Sequence, residues 1–110
     1  MKHNSQQMSF EDCRTIDAGH PSLPGHFPGT PIVPGVVILD EVFAALTEWR
    51  EDSRVTMIHG VKFLMPLKPE QPFTVCLSAG QGAKDEVDFC CRVGKQVIVE
   101  GRLQICCAAN

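Results

Sequence analysis

The stretch from position 19 to 35, GHPSLPGHFPGTPIVPG, limits what this chain can fold into more than any other segment. It holds five prolines and four glycines. Proline removes a backbone donor and fixes φ, while glycine opens φ > 0, so no regular helix or strand survives that density. Yet Leu23, Phe27, Ile32 and Val33 are apolar, which a solvated linker would not need. The stretch reads as an ordered loop packed on a core, and long ordered loops in compact domains commonly carry function.

After the loop comes a helix over 36–51. At 100° per residue Leu39, Val42, Phe43, Leu46 and Trp49 fall on one side, with Glu41, Glu48 and Asp52 on the other. The first turn, 36–39, is apolar all round, which predicts a helix start enclosed by protein. Upstream, 9–17 supports a short strand. Downstream the apolar period changes to two, giving strands over 54–63, 73–79, 86–93 and 96–106. Pro66, Pro69 and Pro72 punctuate the first connection, 80–84 holds a turn, and Gly94-Lys95 closes a tight hairpin. Gly101 marks a bulge or a close approach of backbone. Strand, loop, helix and four strands make an α+β domain with one antiparallel sheet and one long helix. Residues 1–8 read as a flexible N-terminus and 9–110 as a single domain. So small a sheet leaves open edges, and joining two sheets in a dimer is the natural remedy.

Composition narrows the function. The 110 residues carry a net charge of −3 and contain no Lys/Arg-rich run to neutralise phosphates, so nucleic acid is not expected as a partner. No apolar stretch approaches the ~18 residues of a membrane span, and residues 1–7 lack an apolar signal core. The expected compartment is the cytoplasm. Of six cysteines, four form the adjacent pairs Cys90/Cys91 and Cys106/Cys107. Neighbours in a strand point to opposite faces, so these pairs are poorly placed to chelate one ion. With Cys13 and Cys76 they read as reduced thiols serving as small hydrophobes, and neither metal nor cofactor is expected.

Three elements could carry chemistry. Among the four histidines, His3 lies in the loose terminus, His59 reads as a strand residue with a hydrogen bond, and His20 as a loop anchor. His26 differs, because Gly25 on one side and Phe27-Pro28-Gly29 on the other allow close backbone approach. An imidazole held there could act as a base near neutral pH. Asp40, one turn into the helix, borders apolar neighbours and reads as partly desolvated, which raises a carboxyl pKa and suits a proton donor. Glu41, rotated further, reads as a solvated residue. Finally, Gly35 and Val36 present unpaired N–H groups at the helix start, suited to a carbonyl oxygen that gains negative charge.

The run Leu23-Pro24-Gly25-His26-Phe27-Pro28-Gly29-Thr30-Pro31-Ile32-Val33-Pro34-Gly35-Val36 closely resembles the signature of the FabZ-like 3-hydroxyacyl-acyl-carrier-protein dehydratases. The segment Val61-Lys62-Phe63-Leu64-Met65-Pro66-Leu67, followed by Phe73-Thr74-Val75, resembles the family's strand running into a proline-bearing connection. The likeness covers about residues 9 to 107. It implies the hotdog fold, a curved antiparallel sheet wrapped around one long central helix. It also implies a homodimer, or a higher oligomer built from it, with active sites at the interface. The implied activity is a lyase that dehydrates a 3-hydroxyacyl thioester to the trans-2-enoyl thioester, in fatty-acid or polyene-type biosynthesis. By the resemblance His26 is the catalytic histidine, Asp40 is the helix carboxylate contributed by the other chain, and the Gly35 N–H holds the thioester carbonyl. Phe27, Ile32, Phe63 and Leu64 are expected to line the acyl pocket.

Two departures stand out. The family most often has Glu where this chain has Asp40, one methylene shorter, and much of the N-terminal region of the longer dehydratases is absent from the sequence. The substrate is expected on acyl carrier protein or coenzyme A. Arg54, Lys62 and Lys68 are candidates for docking an acidic carrier. Two other readings on the same fold remain open: another thioester enzyme, either a hydratase or a thioesterase, and a non-catalytic subunit or carrier-binding module.

Overall fold

The computed structural model describes residues 8–21, 32–80 and 85–107. Strand β1 (Ser9–Arg14) is followed by helix α1 (Gly35–Trp49), then β2 (Ser53–Phe63), β3 (Phe73–Ala79), β4 (Glu86–Val93) and β5 (Gln96–Cys107). The strands form one sheet in the order β1-β3-β4-β5-β2, and every neighbouring pair is antiparallel. Thus β1 and β2, which flank the helix in sequence, lie at opposite edges. The helix crosses from one edge to the other and covers one face of the sheet, in the expected hotdog arrangement.

Burial follows the alternation read from the sequence. Phe73, Val75 and Leu77 of β3, and Val87, Phe89 and Cys91 of β4, point under the helix and are buried. They meet Val37, Ile38, Val42, Ala45, Leu46 and Trp49. The buried stripe is therefore centred on Val42 and Ala45, while Leu39 and Phe43 flank it half-buried.

Three register shifts interrupt the sheet, one of them at Thr56 between Val55 and Met57 of β2. In β5, Cys91 faces Val99 but Arg92 faces Val97, so Ile98 is an extra residue. Its carbonyl turns to accept from the N–H groups of Leu64 (2.7 Å) and Met65 (3.3 Å). In β2, Gly60 and Val61 lie opposite Gly101, and Gly60 takes φ +57°. A Cβ on Gly101 would lie 2.9 Å from the Phe89 ring and 3.2 Å from Val61 Cα. Gly101 therefore marks a close approach, and the bulge belongs to the opposing strand.

Three expectations are corrected. The first strand ends at Arg14 rather than reaching position 17, because Asp17 starts a turn: its Oδ1 accepts from Gly19 N–H (3.1 Å) and its carbonyl from His20 N–H (2.9 Å). The helix start is not enclosed within the chain, since Val36 is 64% exposed. Glu41 is not a solvated residue. It is half-buried and accepts from Arg14 Nη1 at 3.1 Å, because its side of the helix lies over the edge strand β1.

The cysteines with described side chains are free. Cys91 fills the core and burial pushes its thiol up to about 12. Cys76 and Cys90 face one another across β3 and β4, and burial, with Cys90 adding, pushes Cys76 up to about 11. No helix among the described residues is long and apolar enough to cross a membrane.

Candidate functional site at the start of the helix

The chain enters α1 through Pro34, whose φ of −60° and ψ of 145° are extended. Its carbonyl accepts from Val37 N–H (3.0 Å) and Ile38 N–H (3.4 Å). The first-turn N–H groups of Gly35 and Val36 precede the intrahelical ladder and point out of the helix end. The N-cap residue supplies no side-chain hydrogen bond, and the first turn carries no acidic residue. Neither the cap nor the first turn supplies a negative group to offset the positive dipole at this end, which favours an oxygen acquiring negative charge.

Two segments converge on it. Val33 N–H donates to the Leu67 carbonyl at 2.7 Å, fixing 32–35 against the run 63–67 that continues from β2. That run is held on the sheet in turn by its hydrogen bonds to the Ile98 carbonyl. Between them lies a cavity of about 320 Å³ lined by Ile32, Gly35, Ile38, Phe63, Leu64 and Met65, among others. The Phe63 ring sits directly on Gly35, where a Cβ would come within 2.7 Å of two ring carbons. Gly35 is thus required for the ring's position as well as for approach to its own N–H.

Four of the expected residues, Ile32, Gly35, Phe63 and Leu64, are brought together around this cavity. Val36 sits beside it in the first turn, its side chain outward. His26 and Phe27 lie outside the described residues. Asp40 does not line the cavity and is exposed in the single chain, where partial desolvation was expected. The reason is geometric: Val36, Asp40, Ala44 and Thr47 form a stripe on the side of α1 turned away from the sheet. Sequence reasoning missed Ile38 and Met65 as lining residues. The signal was the apolar run Phe63-Leu64-Met65, exposed by 53%, 49% and 47% despite its composition.

The other residues singled out have structural partners or lie on the surface. His59 Nε2 lies 3.2 Å from Gln104 Oε1, the strand hydrogen bond expected of it. His20 donates its N–H within the Asp17 turn. Arg54, Lys62 and Lys68 are exposed.

The ApeI-like family model, described as ApeI dehydratase, matches residues 1–102. The chain belongs to the ApeI-like dehydratase family. Among curated proteins it is similar to the 3-hydroxyacyl-acyl-carrier-protein dehydratase FabZ of Chlamydia trachomatis, 32% identical over 105 residues, which span 82% of this chain and 67% of that protein. Among solved structures it resembles the dehydratase heterocomplex ApeI:P from Xenorhabdus doucetiae, with a TM-score of 0.76 and 23% identity over 91% of this chain and 88% of that one. A probable thioesterase from Bartonella henselae gives a TM-score of 0.70 at 12% identity, over 90% of this chain and 89% of that one. The shared hotdog fold therefore does not separate dehydratases from thioesterases. Membership of the dehydratase family rests on sequence.

Proposed function

We propose that this ApeI-like chain dehydrates a 3-hydroxyacyl thioester to the trans-2-enoyl thioester. The observation that carries the reading is the apolar cavity at the helix start, where Ile32, Phe63 and Leu64 surround Gly35. An acyl chain would lie against those side chains, with its thioester carbonyl on the Gly35 and Val36 N–H groups. The His26 imidazole removes the proton on Cα, and those donors stabilise the oxygen that gains charge. As the electron pair forms the double bond, the C–O bond at Cβ breaks. Asp40 acts as the acid that delivers a proton to the departing hydroxyl, which leaves as water. The names of the Chlamydia relatives favour an acyl-carrier-bound substrate of fatty-acid type, with Arg54, Lys62 and Lys68 as exposed cations for an acidic carrier. A polyene-type acyl chain fits the same chemistry.

A single chain leaves Asp40 away from the cavity, so the reading requires a partner. We assign that role to a second copy. Strand β2 is an edge strand of 11 residues whose outer backbone groups have no neighbour in the sheet. Met57 and Ile58 on it are 53% and 39% exposed. A groove of about 680 Å³, lined by Phe43, Leu46, Thr47 and 53–58, lies between the open side of α1 and that edge. Pairing two β2 edges would cover the groove, the edge and the stripe carrying Asp40 together.

The test is turnover on a 3-hydroxyacyl thioester of a carrier protein, with enoyl product followed by mass spectrometry. His26→Ala and Asp40→Asn are each expected to lower kcat by about 10²- to 10⁴-fold, the usual worth of a positioned acid or base. Undiminished turnover in His26→Ala would falsify the base. Release of free thiol without enoyl product would favour a thioesterase. Carrier binding without turnover would favour a non-catalytic subunit. Light scattering of the purified protein should give twice the chain mass. A monomer that gains activity only with a related chain would replace the homodimer by a pairing like the one named for the Xenorhabdus protein.

A further inference from the structure

We propose that Glu70 is a positioning residue that fastens the first root of the His26-bearing segment to the same turn whose Leu67 carbonyl holds the second root. Before that loop, the Ile16 carbonyl accepts from Glu70 N–H at 2.8 Å, and Ala18 N–H donates to Glu70 Oε2 at 2.8 Å. After it, Val33 N–H donates to the Leu67 carbonyl, three residues before Glu70. Ile16, Val33 and Leu67 are buried side chains of the core, exposed by 2%, 4% and 0%. One short turn thus fastens the chain where it leaves the core toward His26 and where it returns.

The backbone shows that Glu70 is not there for the turn itself. It takes φ +68°, a left-handed conformation that glycine or asparagine adopts more readily. The turn also closes without its side chain: Gln71 N–H donates to the Lys68 carbonyl (3.2 Å), and Lys68 N–H to Gln71 Oε1 (3.1 Å). What the Glu70 side chain adds is reach. Its carboxylate crosses to accept from the Ala18 amide, one residue after Asp17, whose own carboxylate accepts from Gly19 N–H. A non-glycine residue held at positive φ, with its carboxylate on a loop root, fits a positioning role. In sequence His26 lies between these roots, eight residues after Ala18 and seven before Val33.

The inference rests on His26 being the base, so its test needs a readout independent of turnover. Glu70→Asn keeps a residue suited to the left-handed backbone but is too short to reach Ala18. Glu70→Gly removes the side chain and frees φ. Glu70→Gln retains an oxygen that can accept from the Ala18 N–H. Asn and Gly are expected to lower kcat by about tenfold with KM within about twofold, since small misplacements of reacting groups act on the chemical step. Amide exchange at Ala18 should quicken in both, with melting temperatures near that of the parent. Gln is expected to restore kcat and Ala18 protection together. Parental kcat in the Asn and Gly variants, unchanged exchange at Ala18, or a Gln variant as impaired as Asn would each overturn the proposal. If His26→Ala keeps its turnover, the base assignment fails, while Ala18 exchange still reads the clamp.

Discussion

The two ends of helix α1 are built on opposite principles. At the C-terminal end the backbone is capped and charged and aromatic side chains engage one another and β1, although the buried Trp49 indole N–H has no hydrogen-bond partner among the described residues. Arg50 N–H caps the Leu46 carbonyl at 2.7 Å. Trp49 stacks on Phe10 of β1 with ring centroids 6.3 Å apart, and the Arg50 guanidinium lies 4.1 Å from the Trp49 ring centroid. Arg14 reaches Glu48 at 2.7 Å and, a turn or two back, Glu41 at 3.1 Å. At the N-terminal end the capping residue is Pro34 without a side-chain bond, Val36 is exposed, and the Phe63 ring rests on a bare glycine. The ion pairs and ring contacts of the helix gather where it meets β1, and among the described residues no side chain caps its other end. A fold can leave donors unpaired at one helix end only if other contacts hold the helix in place.

The largest expected effect is at the closed end. Trp49 is 3% exposed and packs in the core, so Trp49→Ala should cost about 3–5 kcal/mol in urea unfolding. Where the variant remains folded, kcat should change little, because the site lies at the other end of the helix. A loss below about 1 kcal/mol would mean that the closed end does not carry the helix.

Gly35→Ala reverses the pattern. A methyl group there meets the Phe63 ring at 2.7 Å, but that side chain is half exposed and can swing away. Alanine is also the better helix former, so stability should hold or rise by up to about 1 kcal/mol. Turnover should fall by about a hundredfold, because the displaced ring no longer lines the cavity and the added methyl crowds the donor. Parental activity in this variant would mean that the helix start is not where the thioester carbonyl lies.

The same contrast explains what was legible in the sequence. Elements came through because period-two patterns and prolines act locally: Phe73–Ala79 and Glu86–Val93 match the expected strands. Half of the candidate site's lining was legible, because Gly35 and Ile32 sit in one conspicuous run and Phe63 and Leu64 in a second, and the two runs meet around the cavity. The readings that failed depended on which neighbour covers each side of the helix. Glu41 and Asp40 are adjacent and chemically alike, yet the first meets Arg14 of β1 and the second faces outward. Helix phase separates them by 100° but does not say which side the sheet occupies. The bulge at Gly60 and Val61 was also hidden, since a glycine in a strand announces a bend without saying which strand carries the extra residue.

Arg14→Met gives the smallest expected effect and asks what closes the closed end. The Arg14 side chain is only 14% exposed, with Asp12 at 2.8 Å as a third carboxylate partner. Burial works against its charge, but the hydrogen bonds to Glu48 and Glu41 outweigh that and the guanidinium's pKa is raised. Asp12 and Glu48 are themselves 40% and 52% exposed, so solvent discounts the pairs. The net loss should be about 1 kcal/mol at low salt. Methionine keeps much of the apolar stem while leaving the acidic groups on β1 and α1 without their cation. In the parent, salt weakens an attraction, and in the variant it weakens a repulsion. The stability difference should therefore narrow toward about 1 M salt, where the Debye length falls to roughly 3 Å. A difference that stays constant with salt would assign the effect to the packing of the Arg14 stem beneath the helix. The closed end would then be held by apolar contact alone, with Glu41 and Glu48 following the arginine rather than fastening it.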